Sequence, residues 1–166
     1  MVVMSDPDRT TELIDTQAVR SWMDGVGLGG GPIEGVAAIG GGTQNIMVRF
    51  TRGVDSFVLR RGPRHLRPTS NDAMRREIRV LTALAPTEGP HPTSLAACED
   101  EAVLGGAVFY VMAPVDGFNP GSELPAVYAD SEAMRHGLGL CAVDAAVVLG
   151  RQDHVAGLEH LEQITL

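Results

Sequence analysis

Hydrophobic positions in the first third of the chain repeat first with a helical period and then with the period of short strands. From Asp15 or Thr16 onward, a polar capping residue precedes apolar side chains spaced three to four residues apart, which predicts a helix. The glycine-rich residues 25–32 terminate it. Segments rich in branched side chains then predict three strands, at residues 33–39, 46–51 and 56–61, with a hairpin turn at residues 52–55.

The second part of the chain predicts two more helices and two more strands. After Pro63 and Pro68, residues 71–85 predict a helix capped by Ser70 or Asn71. Its buried stripe would comprise Met74, Ile78, Leu81 and Leu84. Residues 93–99 and 109–112 predict strands, and residues 131–149 predict the last long helix. This order predicts an α+β fold with a mostly antiparallel sheet of about five strands and flanking helices.

Composition narrows the classes of function. A formal charge of -8 argues against binding to nucleic acid or to an anionic membrane. No stretch reaches the roughly 18 uncharged apolar residues of a spanning helix, and the N-terminus lacks the apolar core of a signal peptide. Cys98 and Cys141 have no disulfide or zinc spacing, which predicts a reduced, cytoplasmic compartment. All 13 basic residues are arginine, so mechanisms that require a lysine are excluded unless arginine can replace it.

The first glycine cluster satisfies the dinucleotide fingerprint at Gly25-x-Gly27-x-x-Gly30. That motif binds a dinucleotide only when a strand precedes the glycines and a helix follows them. Here a helix precedes them and a strand follows. We therefore predict that these glycines form a connecting segment.

The second glycine cluster, Gly40-Gly41-Gly42, joins two predicted strands as a hairpin. Glycines at such a place let backbone N–H groups approach phosphate oxygens closely. The next three side chains, Thr43, Gln44 and Asn45, add hydrogen-bond donors. An ordinary glycine-rich turn is the alternative interpretation.

A cation and a carboxylate follow the hairpin with the spacing of a kinase. Arg60 lies near the end of a predicted strand, where kinases place the lysine that pairs with the α- and β-phosphates. Glu77 lies 17 residues later on the next helix, where kinases place the glutamate that orients this cation. Alternatively, Arg60 is solvated and Glu77 pairs locally with Arg76 or Arg79.

The strand at residues 109–112 runs into a turn at Pro114, Asp116 and Gly117. In a two-lobed kinase such a strand leads to the hinge, whose backbone hydrogen-bonds adenine. Because proline has no N–H, a donor there must come from Met112, Ala113 or Val115. An ordinary core strand explains the hydrophobicity equally well.

In this order, these elements resemble the aminoglycoside phosphotransferase family, in particular the branch related to the kinase-like domain of acyl-CoA dehydrogenase fusions. The residues that carry the resemblance are 41–45, 57–63, 76–81, 84–86, 109–112 and 116–117. The resemblance implies a disordered N-terminus at residues 1–15, a protein-kinase-like N-terminal lobe at 16–117 and the start of a helical C-terminal lobe at 118–166. It implies that ATP is held by Gly41 to Asn45, Arg60, Glu77, Met112 and Ala113.

The family takes its catalytic base and metal ligands from a His-Gly-Asp-x-x-x-x-Asn segment and a later Asp. Here His136-Gly137 is followed by Leu138, and Val143 stands where the Asn belongs. We therefore name no catalytic or metal-binding residue, and expect Mg²⁺ only if the C-terminal lobe is supplied. The chain is expected to be truncated and inactive alone, with its acceptor substrate open.

Two other hypotheses remain. The chain is a non-catalytic module that binds a nucleotide or self-associates through an exposed apolar face, or it is an unrelated α+β domain.

Overall fold

The structure, a computed structural model, describes residues 11–40, 45–118 and 123–150. The predictions about residues 1–10, 41–44 and 151–166 lie outside the described residues. Within the segment predicted to be disordered, Ile14 is buried in the core and Asp15 caps the first helix. The folded part of the chain therefore begins before residue 16.

Helix α1, Thr16–Gly25, begins where the sequence predicts it. The carboxylate of Asp15 accepts hydrogen bonds from the backbone N–H groups of Gln17 and Ala18, both at 3.0 Å. These bonds satisfy two of the donors that a helix leaves open at its start. Val19 and Met23, one turn apart, are fully buried.

Five strands form one antiparallel sheet in the order β1-β2-β3-β5-β4. Their bounds are β1 Ile33–Ala38, β2 Ile46–Arg52, β3 Asp55–Arg61, β4 Ser94–Cys98 and β5 Phe109–Met112. The hairpin between β2 and β3 turns at Gly53 and Val54, since Arg52 pairs with Asp55. Gly53 has a φ of +62°, as the first central position of a type II′ turn requires. The predicted fold class is confirmed.

The two faces of the sheet carry separate apolar clusters. On one face Val48, Phe50, Leu59 and Val111 pack with Val19 and Met23 of α1. On the other face Val58, Tyr110 and Met112 pack with Met74, Ile78 and Leu81 of helix α2, Ser70–Leu84. Each strand thus buries alternate side chains on opposite faces. The stripe predicted for α2 is confirmed, because all four of its residues are buried.

The chain divides into two compact units. One comprises Met1–Leu81 and Pro92–Val115, and the other comprises Thr82–His91 and Asp116–Leu166. The second unit contains the short helix α3, Ala126–Ala129, and the long helix α4, Glu132–Gly150. No residue of α4 is buried, and its exposed apolar side chains are Met134, Leu140, Val143, Val147 and Leu149.

Helix α4 is long and apolar enough to cross a membrane by length and composition alone, with a mean hydropathy of 1.3 over its best 18-residue window. The sequence predicted no spanning segment, because charges interrupt every apolar run. Arg135 and Asp144 are such charges in α4. Asp144, nearer the middle of the helix, would oppose insertion by about 3 kcal/mol at the bilayer centre.

Candidate functional site

Strand β3 places Arg60 between two neighbouring strands on the face of the sheet that α2 covers. Arg60 pairs in register with Met47 of β2 and with Tyr110 of β5. Its Nη1 atom lies 4.0 Å from the Met47 sulfur. The side chain is 27% exposed, so the guanidinium group lies at the margin of the core.

Arg60 and Glu77 form the ion pair that their spacing predicts. Nη2 of Arg60 lies 2.9 Å from Oε1 of Glu77, and the Glu77 side chain is 31% exposed. Glu77 adjoins the buried Ile78 on α2, so its side chain begins at the edge of the apolar stripe. Residues one or two apart on a helix do not face each other, which disfavours the alternative pairing with Arg76 or Arg79. An ion pair between Arg60 and Glu77 therefore joins strand β3 to helix α2.

Tyr110 completes this cluster, and the sequence analysis missed its role. Its hydroxyl donates to Oε1 of Glu77 at 3.2 Å, the same oxygen that Arg60 contacts. Burial, and then the charge of Glu77, raise the pKa of Tyr110 far above its usual value near 10. The hydroxyl therefore remains a donor at every physiological pH. Nothing in the sequence indicated this role, because a single tyrosine within the apolar run of β5 is expected only to pack in the core.

The start of α2 is fastened to the connection between β4 and β5. Asn71 donates to the carbonyl of Gly106 at 2.8 Å and accepts from the N–H of Val108 at 3.0 Å. We predicted Ser70 or Asn71 as the N-cap. Instead Ser70 Oγ accepts from the N–H of Arg67, while Asn71 reaches this other segment. Because α2 carries Glu77, these bonds also locate the carboxylate.

A second set of contacts fastens α2 through Arg75. Its guanidinium group lies 2.7 Å from Glu101, 3.4 Å from Glu99 and 3.5 Å from Asp72. The hydrogen bond from Arg75 and a further one from Asn71 lower the pKa of Glu101. Asn71 and Arg75, both on α2, thus bind the connection between β4 and β5.

The second glycine cluster lies in the connection between β1 and β2. The N–H of Ile39 donates to the carbonyl of Met47 at 2.9 Å, which closes this hairpin. Asn45 directly precedes β2, two residues before Met47, the register partner of Arg60. The end of this hairpin, at the start of β2, therefore lies beside Arg60. Gly41, Gly42, Thr43 and Gln44 lie outside the described residues.

The predicted hinge residues lie at the end of β5 and directly after it. Met112 is buried and pairs with Val58 on one side and Ser94 on the other. The N–H of Ala113 donates to the carbonyl of Thr93 at 3.0 Å, so this predicted donor is engaged within the sheet unit. Val115 is 75% exposed.

Backbone carbonyls of the first glycine-rich segment, residues 25–32, accept hydrogen bonds from a buried arginine. Arg52 is 1% exposed; its Nε donates to the carbonyl of Gly31 at 3.0 Å and its Nη1 to that of Leu28 at 2.8 Å. Its Nη2 pairs with Asp24. The cluster lies between α1 and β1, so the helix precedes it and the strand follows it, as predicted. The sequence analysis placed Arg52 in a turn and missed this role.

Residues 11–40, 45–118 and 123–150 contain no cluster of three or more His, Cys, Asp or Glu side chains able to hold a metal ion. The sequence His136-Gly137-Leu138 lies within α4, as does Asp144.

Comparison with known proteins agrees with this geometry. A crystal structure of a candidate aminoglycoside phosphotransferase from Ralstonia eutropha JMP134 matches with a TM-score of 0.51 and 32% identity. The match covers 64% of this chain and 31% of that chain, so this chain spans about a third of that protein's length. The sheet and its flanking helices match a kinase-like N-terminal lobe.

Among curated protein sequences, none matches this chain significantly. The sequence profile of the phosphotransferase enzyme family, APH, matches residues 35–151. This range includes Arg60, Glu77 and Tyr110 and covers more than half of the chain. The chain therefore belongs to the phosphotransferase enzyme family.

Proposed function

We propose that this chain binds ATP beside Arg60, as the nucleotide-holding part of an enzyme that phosphorylates a small hydroxyl-bearing molecule. The observation that carries this proposal is the Arg60–Glu77 ion pair between β3 and α2. Such a pair leaves a permanent cation partly open to solvent and restrains its orientation. These are the properties that a phosphate-binding group requires.

The residues around Arg60 fit a nucleotide. A guanidinium group presents several N–H donors in a plane, so Arg60 can contact Glu77 and a phosphate at the same time. The backbone and side chains from Gly41 to Asn45 would surround the phosphates. Met112 and Ala113 would lie against the adenine ring. Because the N–H of Ala113 is engaged, the N–H of Val115 is the better candidate donor to adenine.

We do not propose that this chain transfers a phosphoryl group by itself. Transfer requires a carboxylate near the acceptor hydroxyl and carboxylate or amide ligands for Mg²⁺. In this sequence, Leu138 follows His136-Gly137 where the family has an Asp. We therefore propose a cytoplasmic nucleotide-binding chain that is inactive by itself.

The binding proposal is tested by titrating ATP against the wild-type chain and against Arg60→Ala. Loss of a charge-assisted hydrogen bond should weaken ATP binding by about tenfold or more. Arg79→Ala is the matched control, because Arg79 is an exposed arginine on the same helix as Glu77. Equal ATP affinities for the two variants would contradict the proposal, as would a wild-type chain that binds no ATP.

The inactivity proposal needs a separate measurement. ATP turnover should be undetectable in the presence of Mg²⁺ with a panel of hydroxyl acceptors, each at about 1 mM, the upper end of ordinary KM values. Turnover that disappears on Asp144→Asn would contradict it and would identify a base within α4.

A second proposal is self-association through α4. Leu140, Val143 and Val147 lie three or four residues apart on this helix and are 53%, 60% and 44% exposed. Side chains with this spacing form one stripe, which a second copy of the helix could cover.

A further inference from the structure

We propose that Tyr110 is a positioning residue for the nucleotide site, because its hydroxyl holds the Glu77 carboxylate that orients Arg60. This inference rests on the proposed ATP binding and names the residue on which its phosphate contact depends. Tyr110 would touch neither the phosphates nor the acceptor.

The backbone brings Tyr110 to this role. Tyr110 lies directly opposite Arg60 in the β3–β5 register, so their side chains share the face that α2 covers. The ring of Tyr110 is 1% exposed and packs among Val58, Met74, Ile78, Leu81, Val108 and Met112. Only the hydroxyl end reaches the ion pair. The packed ring therefore fixes the position of its donor.

The hydroxyl and the guanidinium group converge on one oxygen. Oε1 of Glu77 accepts from Tyr110 at 3.2 Å and contacts Arg60 at 2.9 Å. The partly exposed Glu77 has several rotamers, and some of them would turn its carboxylate towards solvent. The contacts from Tyr110 and Arg60 to the same oxygen favour the rotamer of Glu77 that faces the sheet. Arg60 is then restrained before any phosphate arrives, which reduces the entropy lost on binding.

Packing alone does not require this hydroxyl. Phenylalanine would fill the same apolar cluster, whereas a buried hydroxyl must find a partner or destabilise the fold. The partner here is a side chain that the proposed binding site uses. The Tyr110 hydroxyl therefore links the core to Glu77.

The first test compares Tyr110→Phe with Tyr128→Phe in the full chain. Tyr128 is the only other tyrosine in the sequence and its ring contacts that of Phe118 at a tilt of 43° outside the sheet unit, so it is the matched control. Tyr110→Phe should weaken ATP binding by about fivefold, the net value of one hydrogen bond. Its affinity for adenosine, which has no phosphate for Arg60, should stay within about twofold. Equal weakening for both ligands would show a purely structural role and overturn the inference.

The second test asks whether Tyr110 acts through Glu77. In a Glu77→Ala background, Tyr110→Phe should have no further effect on ATP affinity, since its acceptor is gone. Alanine is the best helix former, so α2 should persist. A full fivefold effect in this background would overturn the inference.

The third test does not depend on ATP binding. In Tyr128→Phe the only remaining tyrosine is Tyr110, so the resonance Raman doublet of tyrosine reports whether its hydroxyl donates. Glu77→Ala should shift the intensity ratio of the doublet away from that of a donor, while Arg79→Ala should not. An unchanged ratio in Glu77→Ala overturns the inference. If Arg60→Ala leaves ATP affinity unaltered while Glu77→Ala shifts this ratio, the proposed function fails and only the hydrogen bond between Tyr110 and Glu77 stands.

Discussion

Two arginines, Arg52 and Arg61, are buried in the sheet, and they differ in what surrounds their guanidinium groups. Arg52 has a carboxylate and two carbonyls as acceptors. Arg61 is 4% exposed and donates from Nη1 to the carbonyl of Leu13 at 3.1 Å. In the part of the chain that the structure describes, its Nε has no hydrogen-bond partner. Burial, and then the charge of Arg64, lower the pKa of Arg61.

Replacing Arg52 by Met should destabilise the fold. The carbonyls of Leu28 and Gly31 would lose their donor, and the segment between α1 and β1 would lose its attachment to the sheet. We expect a decrease of about 2–4 kcal/mol in the free energy of unfolding, measured with urea. The control is Arg20→Ala, whose half-exposed side chain lies 3.9 Å from Asp24 and should matter by less than about 1 kcal/mol. Equal effects of the two variants would refute this account of Arg52.

Replacing Arg61 by Met should have a much smaller effect. A buried cation without a carboxylate keeps its desolvation penalty, and an apolar side chain of similar length removes that penalty. We expect Arg61→Met to lie within about 1 kcal/mol of the wild type or to be more stable. The same urea experiment decides this, and a loss as large as that of Arg52→Met would show that Arg61 is needed.

Among the elements, α2 determines where Glu77 lies, and two of its own side chains determine where α2 lies. Asn71 holds Gly106 and Val108, while Arg75 holds Glu99 and Glu101. Both sets of contacts reach the connection between β4 and β5. The position of the Arg60–Glu77 ion pair thus depends on the connection between β4 and β5.

The Arg75–Glu101 contact should give the chain a pH dependence. The pKa of Glu101 is lowered in the folded state, chiefly by the hydrogen bond from Arg75. Its stabilising contribution is therefore present above the ordinary glutamate pKa of about 4.3 and is lost as the pH falls through the lower folded value. Urea midpoints of wild type and Arg75→Ala should differ at neutral pH and converge in acid. Arg79→Ala is the control, and a difference that persists in acid would contradict this prediction.

The sequence predicts much of this fold, because each element has its own local signal. Alternating branched residues indicate the strands, and the stripe from Met74 to Leu84 indicates α2. The spacing of Arg60 and Glu77 predicts their pairing, since they lie on a strand and a helix that a single loop joins. Tyr110 and Arg52 could not be assigned in this way. Their partners lie 33 and up to 28 residues away, and only the packed sheet brings them together.

At the scale of the whole molecule, the two units differ in how well they bury their apolar residues. The unit that contains the sheet has an apolar cluster on each face. In the other unit, α4 has no buried residue. A helix that is apolar on several sides is ordinarily covered.

The self-association proposal predicts concentration-dependent dimers. Light scattering should show a mass that rises with concentration towards twice 17.5 kDa. Val143→Asp should lower the dimer affinity by about tenfold or more, because a carboxylate would be buried without a partner. Glu132→Gln changes one charge at the start of the same helix and should leave the mass unaltered. A strictly monomeric wild-type chain would contradict the proposal.

The proposed ATP site has Arg60 where many nucleotide sites have lysine, and this changes how the site could be detected by chemical labelling. ATP analogues that carry a reactive acyl group work by transferring it to a neighbouring amine. A guanidinium group stays protonated and is a poor nucleophile, and the sequence contains no lysine to replace it. Such a reagent would leave the proposed ATP site unlabelled even when the reagent itself is fully bound. Dicarbonyl reagents that modify arginine suit it better, and ATP should protect Arg60 from them.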